Sequence, residues 1–224
     1  MSISLSSKPA DAERLKITEI FFSLQGEADT TGIPTVFVRL TGCPLRCQYC
    51  DTAYAFHGGT WFSIDEVLAE VARHDTRYVC VTGGEPLAQR ACLTLLTQLC
   101  DQGYRVSLET SGALDVTSVD PRVVRVVDIK TPGSGESERN RLENLTDLRA
   151  TDQLKFVICD RADYDWSRRF IAEHELVGRC PILLSPSHEQ LKAVQLADWI
   201  LADHAPVRMQ IQLHKYLWGN VPGK

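Results

Sequence analysis

The chain has little that would suit it to bind nucleic acid or to cross a membrane. Its 24 Lys and Arg residues are outnumbered by 29 Asp and Glu, giving a net charge of −5. Phosphate contacts need clustered basic residues, so this balance argues against a nucleic-acid-binding surface. No apolar run approaches the length of a membrane span, and the polar start lacks a signal-peptide core. We therefore expect neither nucleic acid nor membrane as a direct partner.

The overall composition is that of an ordinary globular enzyme. The 224 residues are 44% hydrophobic and 24% charged, which is enough to bury one core. We expect a flexible tail over residues 1–14 and a single domain over residues 15–224. Eight cysteines without a secretion signal indicate a reducing cytoplasm.

Three of these cysteines, Cys43, Cys47 and Cys50, lie within eight residues with the spacing C-x3-C-x2-C. Thiolates are soft ligands that favour iron–sulfur clusters or zinc. No fourth ligand follows at a short spacing, so a cubane cluster bound here would keep one iron open for chemistry. His57 leaves a Cys3His zinc site as an alternative, and a disulfide between two of the thiols is another.

Strands alternate with helices along most of the chain, which predicts a parallel sheet covered by helices. Helices are predicted over 87–100 and 163–174, and after capping-box patterns at 63–66 and 187–190. Six strand–helix units are too few for a closed eightfold barrel, so we expect an α/β fold that forms an open, partial (β/α)6-type barrel. The predicted strands span residues 16–22, 35–40, 78–82, 105–109, 123–130, 154–159, 181–185 and 207–213.

Polar residues recur where the predicted strands end. The carboxyl ends of parallel strands share one edge of the sheet, and α/β proteins place their sites there. We therefore predict one site that includes the cysteine loop and these strand ends: Arg39, Thr82 to Glu85, Glu109 to Gly112, Asp128 to Lys130, and Ser185.

The cysteine spacing, with Tyr49 before the last cysteine, is the signature of radical S-adenosylmethionine enzymes. Further segments narrow the resemblance and extend it over nearly the whole chain. They are Leu24-Gln25-Gly26-Glu27, Phe37-Val38-Arg39-Leu40-Thr41-Gly42-Cys43, Cys50-Asp51-Thr52, Gly83-Gly84-Glu85-Pro86 and His214-Lys215-Tyr216-Leu217. Together these residues resemble the 7-carboxy-7-deazaguanine synthase family of the queuosine pathway.

This resemblance implies a carbon–nitrogen lyase that converts 6-carboxy-5,6,7,8-tetrahydropterin to 7-carboxy-7-deazaguanine with loss of ammonia. It implies a [4Fe–4S] cluster, S-adenosyl-L-methionine and Mg²⁺ as cofactors. It also implies a cytoplasmic homodimer that receives electrons from a donor such as flavodoxin or ferredoxin.

The resemblance also implies roles for individual residues. Cys43, Cys47 and Cys50 would bind the cluster and Thr52 would contact Mg²⁺. Residues implied to bind substrate are Leu24, Gln25, Gly26, Glu27, Arg39, Thr82 and His214. Residues implied to bind S-adenosylmethionine are Tyr49, Cys50, Asp51, Gly84, Glu85, Thr110, Ser111, Asp128, Ile129, Lys130 and Ser185. Relatives often carry Ser-Pro-Lys at positions 128–130, so only Lys130 matches there by identity, and Pro222-Gly223-Lys224 extends past their usual end.

Two other functions remain alternatives at this stage. An activase that makes a glycyl radical on a partner protein would use the same cluster and cofactor. It would not explain the Leu24–Glu27 segment together with Arg39. A metal-binding or electron-transfer module would need the three cysteines but not the Gly-Gly-Glu-Pro turn.

Overall fold

A computed structural model describes residues 14–223. The predicted tail lies outside these residues, except for Arg14, which begins the first strand. The strands are β1 (Arg14–Leu24), β2 (Pro34–Leu40), β3 (Thr60–Ser63), β4 (Tyr78–Gly83), β5 (Arg105–Thr110), β6 (Val124–Ile129), β7 (Gln153–Ile158), β8 (Ile182–Pro186) and β9 (Arg208–Met209). The α-helices are α1 (Ile64–Val71), α2 (Ala91–Asp101), α3 (Arg161–Glu173), α4 (Ala193–Ala202) and α5 (Leu213–Trp218).

All nine strands form one sheet in the order β3-β1-β2-β4-β5-β6-β7-β8-β9. From β2 onward, every pair in this order is parallel, whereas β1 runs antiparallel to both of its neighbours. Within the described range the sheet ends at β3 and β9 and does not close. The predicted α/β class and open sheet are confirmed, and β3 is an additional edge strand.

Side chains alternate between the two faces of the sheet, because successive residues of a strand point to opposite sides. In β7, Leu154 and Phe156 are fully buried in the core, whereas Lys155 lines a cavity on the other face. In β6, Ile129 lies in the core and Asp128 lines the cavity. One face therefore carries the hydrophobic core and the other carries the polar groups.

Helices cover the apolar face and form two core clusters with the strands. The predicted capping box at the start of α1 is present: Glu66 N donates to Ser63 Oγ at 3.2 Å, and Ser63 N donates to Glu66 Oε2 at 2.7 Å. This arrangement satisfies two backbone donors at the helix start. Between residues 14 and 223, no helix is both long and apolar enough to span a bilayer.

The connections between β5 and β6 and between β6 and β7 contain no α-helix. The first is a loop, and the second holds three short 3₁₀ turns. Arg125, which is fully buried, ties both connections together. Its guanidinium contacts Asp152 at 2.5 Å and Asp147 at 2.6 Å, and donates to Val116 O at 3.1 Å. The alternation of strand and helix is thus less complete than six full units.

Two local predictions are wrong. The pattern at Ser187–Gln190 does not begin a helix, because Glu189 adopts a left-handed φ of 70° and Lys192 is extended. The Ser187 hydroxyl instead donates to Gln190 Oε1 at 2.7 Å, and α4 starts at Ala193. The predicted strand over 207–213 shrinks to the two residues of β9 and is followed by α5, which carries His214.

Candidate functional site

A cavity of about 660 Å³ opens at the carboxyl edge of the parallel strands. Most residues singled out from the sequence line it: Leu24, Gln25, Gly26, Glu27, Arg39, Cys43, Cys47, Tyr49, Cys50, Asp51, Thr52, Thr82, Gly84, Thr110, Ser111, Asp128, Lys130 and His214. Glu85, Ile129 and Ser185 are buried and are not among the residues that line the cavity. The predicted convergence of the strand ends on one edge is therefore present.

The cysteine loop, residues 43–50, is fastened to the turn that follows β6. Gln48 N donates to Ser134 O at 3.1 Å, and Arg46 N donates to Glu136 Oε1 at 2.6 Å. All three of its cysteines are partly exposed thiols. Burial raises the pKa of the Cys47 thiol to about 11, so this sulfur becomes a thiolate when a bound metal supplies positive charge.

The three thiols do not form a single-ion site in the part of the chain that the structure describes. Among residues 14–223, no three His, Cys, Asp or Glu side chains converge closely enough to hold one metal ion. A cubane needs no such convergence, because each thiolate binds a different iron. His57, which would complete a zinc site, is not among the residues that line the cavity.

The Gly-Gly-Glu-Pro turn packs directly against the start of the cysteine loop. Gly84 N donates to Leu40 O at 3.1 Å, and Glu85 N donates to Gly42 O at 2.8 Å. A β-carbon on Gly84 would meet Cys43 Cβ at 2.9 Å and the Gly42 carbonyl oxygen closer still. Glycine is therefore required for the close approach of this turn to the cysteine loop, and Gly84 also lines the cavity.

Glu85 supports the cavity wall from behind. Its buried carboxylate accepts hydrogen bonds from Thr110 Oγ1 at 2.9 Å, from Ser111 N at 2.7 Å and from Ser111 Oγ at 2.5 Å. Thr110 and Ser111 both line the cavity. Glu85 thus fixes two residues of the wall without lining it.

On the opposite side of the cysteine loop, two buried polar atoms have no hydrogen-bond partner within the described chain. They are the Tyr49 hydroxyl oxygen and Asp128 Oδ1. Lys130 Nζ lies 2.9 Å from Asp128 Oδ2 and 6.0 Å from the centre of the Tyr49 ring. Buried polar groups are normally paired, so these two atoms mark a place where a polar ligand fits.

The wall formed by β2, β4 and β5 carries a guanidinium and a carboxylate. Thr82 Oγ1 donates to Glu109 Oε2 at 2.9 Å, and Gln25 Nε2 approaches Glu109 Oε1 at 3.5 Å. Burial, and then the charge of Glu27, raise the pKa of Glu109. Arg39 lies beside Thr82 in the register of β2 and β4 and lines the same cavity.

Lys155 is a site residue that the sequence analysis missed. Its ammonium forms an ion pair with Glu27, and Gln212 Nε2 donates to the other oxygen of Glu27 at 2.8 Å. Burial alone would raise the pKa of Glu27, but the charge and hydrogen bond of Lys155 outweigh burial and lower it. Lys155 occupies a single position inside an apolar strand, and its partner is 128 residues away. No local pattern could reveal this pair.

Helix α5 closes one side of the cavity against the loop after β1 and the end of the cysteine loop. Leu213 N donates to Gly26 O at 3.0 Å, and Lys215 Nζ lies 2.8 Å from Asp51 Oδ2. Burial acts to raise the pKa of Asp51, but Lys215 outweighs it and holds this pKa at about 2. Burial lowers the pKa of His214.

Two further segments reach the cavity. Residues 187–190, interpreted from the sequence as a helix cap, form part of its wall. Residues 219–223, which include Pro222 and Gly223 of the expected C-terminal extension, line it as well. Asn220 Nδ2 lies 3.5 Å from Glu189 Oε1 and so connects the two segments. The pairs Gly219-Asn220 and Pro222-Gly223 are the sequence signal that could have identified the second segment as a loop. No residue type marks the left-handed backbone at Glu189.

The Radical SAM superfamily profile matches residues 37–128. A 7-carboxy-7-deazaguanine synthase from Chlorobaculum tepidum is 48% identical over 207 residues, covering 91% of this chain and 94% of that protein. One from Koribacter versatilis is 43% identical, covering 91% and 97%.

A solved structure agrees with these sequences. The crystal structure of QueE from Escherichia coli superposes with a TM-score of 0.74 at 25% identity, covering 90% of this chain and 95% of that one. The shared sequence therefore extends over the sheet, the cysteine loop and the cavity wall alike. From this similarity along nearly its entire length, the chain belongs to the 7-carboxy-7-deazaguanine synthase family within the radical S-adenosylmethionine superfamily.

Proposed function

We propose that this enzyme converts 6-carboxy-5,6,7,8-tetrahydropterin to 7-carboxy-7-deazaguanine with loss of ammonia, in queuosine biosynthesis. The observation that carries the proposal is one cavity lined by the three cysteines, Gly84 and Arg39. Curated relatives that match this chain over 87–97% of their own length bear the synthase name, which supports this function over a glycyl-radical activase.

Family membership implies a [4Fe–4S] cluster and S-adenosylmethionine as cofactors. When bound, they supply a 5′-deoxyadenosyl radical, which is chemistry that no side chain provides. Cys43, Cys47 and Cys50 would hold the cluster. Gly84, which lines the cavity, would contact the methionine part of S-adenosylmethionine. The cavity walls at residues 110–111 and 128–130 would hold the remainder of S-adenosylmethionine. The Tyr49 hydroxyl and Asp128 Oδ1, which have no hydrogen-bond partner among the described residues, would be available to bind it.

The substrate would lie on the β1–β2–β5 side of the cavity. Arg39 can form a bidentate pair with the substrate carboxylate, since its two Nη atoms have no hydrogen-bond partner among residues 14–223. The carboxylates of Glu27 and Glu109 would accept hydrogen bonds from the ring nitrogens of the pterin. Gln25 and Thr82 would hold Glu109 in place, and His214 would close the site over Gly26.

Four further proposals have family resemblance as their main support. Thr52 lines the cavity next to Cys50 and would contact Mg²⁺ through its hydroxyl. The enzyme would be a homodimer and receive electrons from a donor such as flavodoxin or ferredoxin. It would act in the cytoplasm, where its eight free thiols and an iron–sulfur cluster persist.

The test is an anaerobic assay on protein with its cluster reconstituted. Reductant, S-adenosylmethionine, Mg²⁺ and 6-carboxytetrahydropterin are added, and products are identified by mass spectrometry. We expect 5′-deoxyadenosine and 7-carboxy-7-deazaguanine together, and neither from Cys47→Ala. Formation of 5′-deoxyadenosine alone would contradict the substrate and favour the activase. Neither product from protein with an intact cluster would contradict the whole proposal.

A further inference from the structure

A bulge in β1 sets the position of a carboxylate beside Arg39. Ile17 pairs with Leu40, but Glu19 pairs with Arg39, so Thr18 is an extra residue in β1. A bulge of this kind redirects the side chain that follows it. Glu19 consequently stands opposite Arg39, and Arg39 Nε donates to Glu19 Oε1 at 2.7 Å.

A second residue acts on the same carboxylate oxygen. The Tyr54 hydroxyl donates to Glu19 Oε1 at 2.8 Å, so this oxygen accepts from both Tyr54 and Arg39. The Arg39 guanidinium also lies 5.7 Å from the Phe21 ring centre and 6.0 Å from the Tyr54 ring centre. Phe21 is itself stacked on Phe37 at 4.9 Å with 7° between the planes. Aromatic rings at these distances attract a cation.

These contacts fix the guanidinium through its Nε edge and leave the opposite edge free. The Arg39 side chain is 14% exposed and lines the cavity, and no residue from 14 to 223 hydrogen-bonds to its Nη atoms. A bidentate contact needs both Nη donors held in one plane with a defined direction. Without Glu19 and Tyr54, the long arginine side chain would be free to adopt other rotamers.

We infer that Glu19 and Tyr54 are positioning residues which aim Arg39 at the substrate, and that they make the site selective for a pterin bearing a carboxylate. This inference rests on the proposed function, because it takes Arg39 as the group that receives the carboxylate. Glu19 does not line the cavity, whereas Tyr54 does, and both act on the substrate carboxylate through Arg39. Their effect is confined to the binding free energy that the substrate carboxylate contributes.

The experiment compares two ligands that differ only in that group, 6-carboxy-5,6,7,8-tetrahydropterin and 5,6,7,8-tetrahydropterin. Dissociation constants are measured anaerobically on cluster-loaded protein with S-adenosylmethionine present. The variants are Glu19→Ala, Glu19→Gln and Tyr54→Phe. Glu70→Ala is the matched control, since it removes an exposed Arg73–Glu70 pair of the same 2.7 Å length. Iron content and thermal unfolding confirm that each variant is folded.

We expect Glu19→Ala to bind the carboxylated pterin about tenfold more weakly, and Tyr54→Phe about threefold, with tetrahydropterin affinity unchanged. Glu19→Gln keeps an oxygen that accepts from both donors, so it should restore part of the loss. Tyr54 is 45% exposed, and Tyr54→Phe removes only one hydroxyl. This variant therefore still tests the inference if Glu19→Ala fails to fold.

Three results would overturn the inference. If Glu19→Ala weakens the binding of both ligands equally, Glu19 is a general structural residue. If Glu19→Ala binds both ligands as tightly as Glu70→Ala does, Glu19 has no role in binding. In both cases the proposed function stands, provided that the unmodified enzyme prefers the carboxylated pterin. If the unmodified enzyme shows no such preference, the assignment of Arg39 fails first, and the proposed function fails with it.

Discussion

The imidazole ring of His214 packs over Gly26, so closely that a β-carbon at residue 26 would meet its Cγ at 3.0 Å and its Nδ1 closer still. This contact joins the loop after β1 to helix α5, from positions 188 residues apart in the sequence. The Leu213 N to Gly26 O hydrogen bond supports the same junction.

Gly26→Ala should therefore push α5 off the cavity. The φ of Gly26 lies outside the left-handed region, so alanine adds a steric clash without backbone strain. We expect KM for the pterin to rise about tenfold or more, since a small misplacement of binding groups has effects of this size. Steady-state kinetics check it. A wild-type KM would show that α5 does not contribute to substrate binding.

A second prediction concerns pH. Burial lowers the pKa of His214, and of the charged groups around it, Glu27 and Asp51 raise this pKa while Lys215 and Lys155 lower it. The folded imidazole thus takes up its proton below the usual pH of about 6.5, while the unfolded chain binds it earlier, so folding is weakened as pH falls. Protonation also places an imidazolium in a desolvated contact with Gly26.

We therefore expect KM to increase as pH drops below about 6.5, and to be flat above it. The same measurement on His214→Gln, whose side chain does not titrate, should show no such increase. A variant that kept the wild-type pH profile would assign the titration to another group.

The Lys155–Glu27 pair gives a prediction about stability. Lys155→Met leaves the buried Glu27 carboxylate without its cation, which typically costs about 3–5 kcal/mol and corresponds to a Tm fall on the order of 10 °C. Adding Glu27→Gln to this variant removes the unpaired charge and should restore most of the Tm. Arg73→Met breaks an exposed ion pair and should change Tm little. Thermal unfolding of the cluster-loaded protein distinguishes these cases, and equal Tm values for Lys155→Met and Arg73→Met would contradict the prediction.

Gly84→Ala should disrupt cofactor binding. The new methyl group would overlap the Gly42 carbonyl and contact Cys43, so the turn and the cysteine loop must separate. We expect affinity for S-adenosylmethionine to fall at least about tenfold by equilibrium binding, as for other displaced binding groups.

Gly178→Ala is the control for Gly84→Ala. Gly178 has a left-handed φ of 80° with open space around it, so alanine there adds strain alone. Its Tm should fall while its affinity for S-adenosylmethionine stays at the wild-type value. Matching affinities in the two variants would exclude the close approach at Gly84 as a requirement.

Thr52 tests the magnesium proposal. Thr52→Ala removes the hydroxyl and should raise the Mg²⁺ concentration needed for half-maximal activity, whereas Thr52→Ser keeps the hydroxyl and should behave like wild type. Titrating Mg²⁺ into the chelator-treated enzyme measures this. If all three proteins respond alike, Thr52 does not contact the ion.

The sequence predicted those parts of the fold that local patterns encode. Parallel strands such as β4 are short apolar runs, and the box at Ser63 and Glu66 is a four-residue pattern. The position of the site could also be predicted, because the carboxyl ends of the strands in a parallel sheet share one edge. Segments that depend on distant contacts were missed. Residues 207–213 alternate like a strand, but Gln212 is drawn to Glu27 and the backbone turns into α5.

The same limit applies within the site. Arg39 and the cysteines stand in recognisable motifs, whereas Lys155 and Glu19 owe their roles to partners in other strands. Ile129 was included with the turn at 128–130, but alternation along β6 turns it into the core. Ser185 was included as a strand end; it pairs with the cavity-lining Val157 but is buried without lining the cavity itself. Choosing the correct face required the register, which only the folded sheet defines.

The junction between the loop after β1 and α5 also bears on how the protein is made. During synthesis, Gly26 and Glu27 leave the ribosome long before Gln212 and Leu213, which bind them. The nascent sheet can form beforehand with its cavity open on that side, so the cysteine loop stays accessible until residues 212 and 213 have been synthesised. A chain interrupted before residue 212 would retain its three cysteine ligands yet lack one wall of the cavity, and so could carry a cluster without enclosing a substrate.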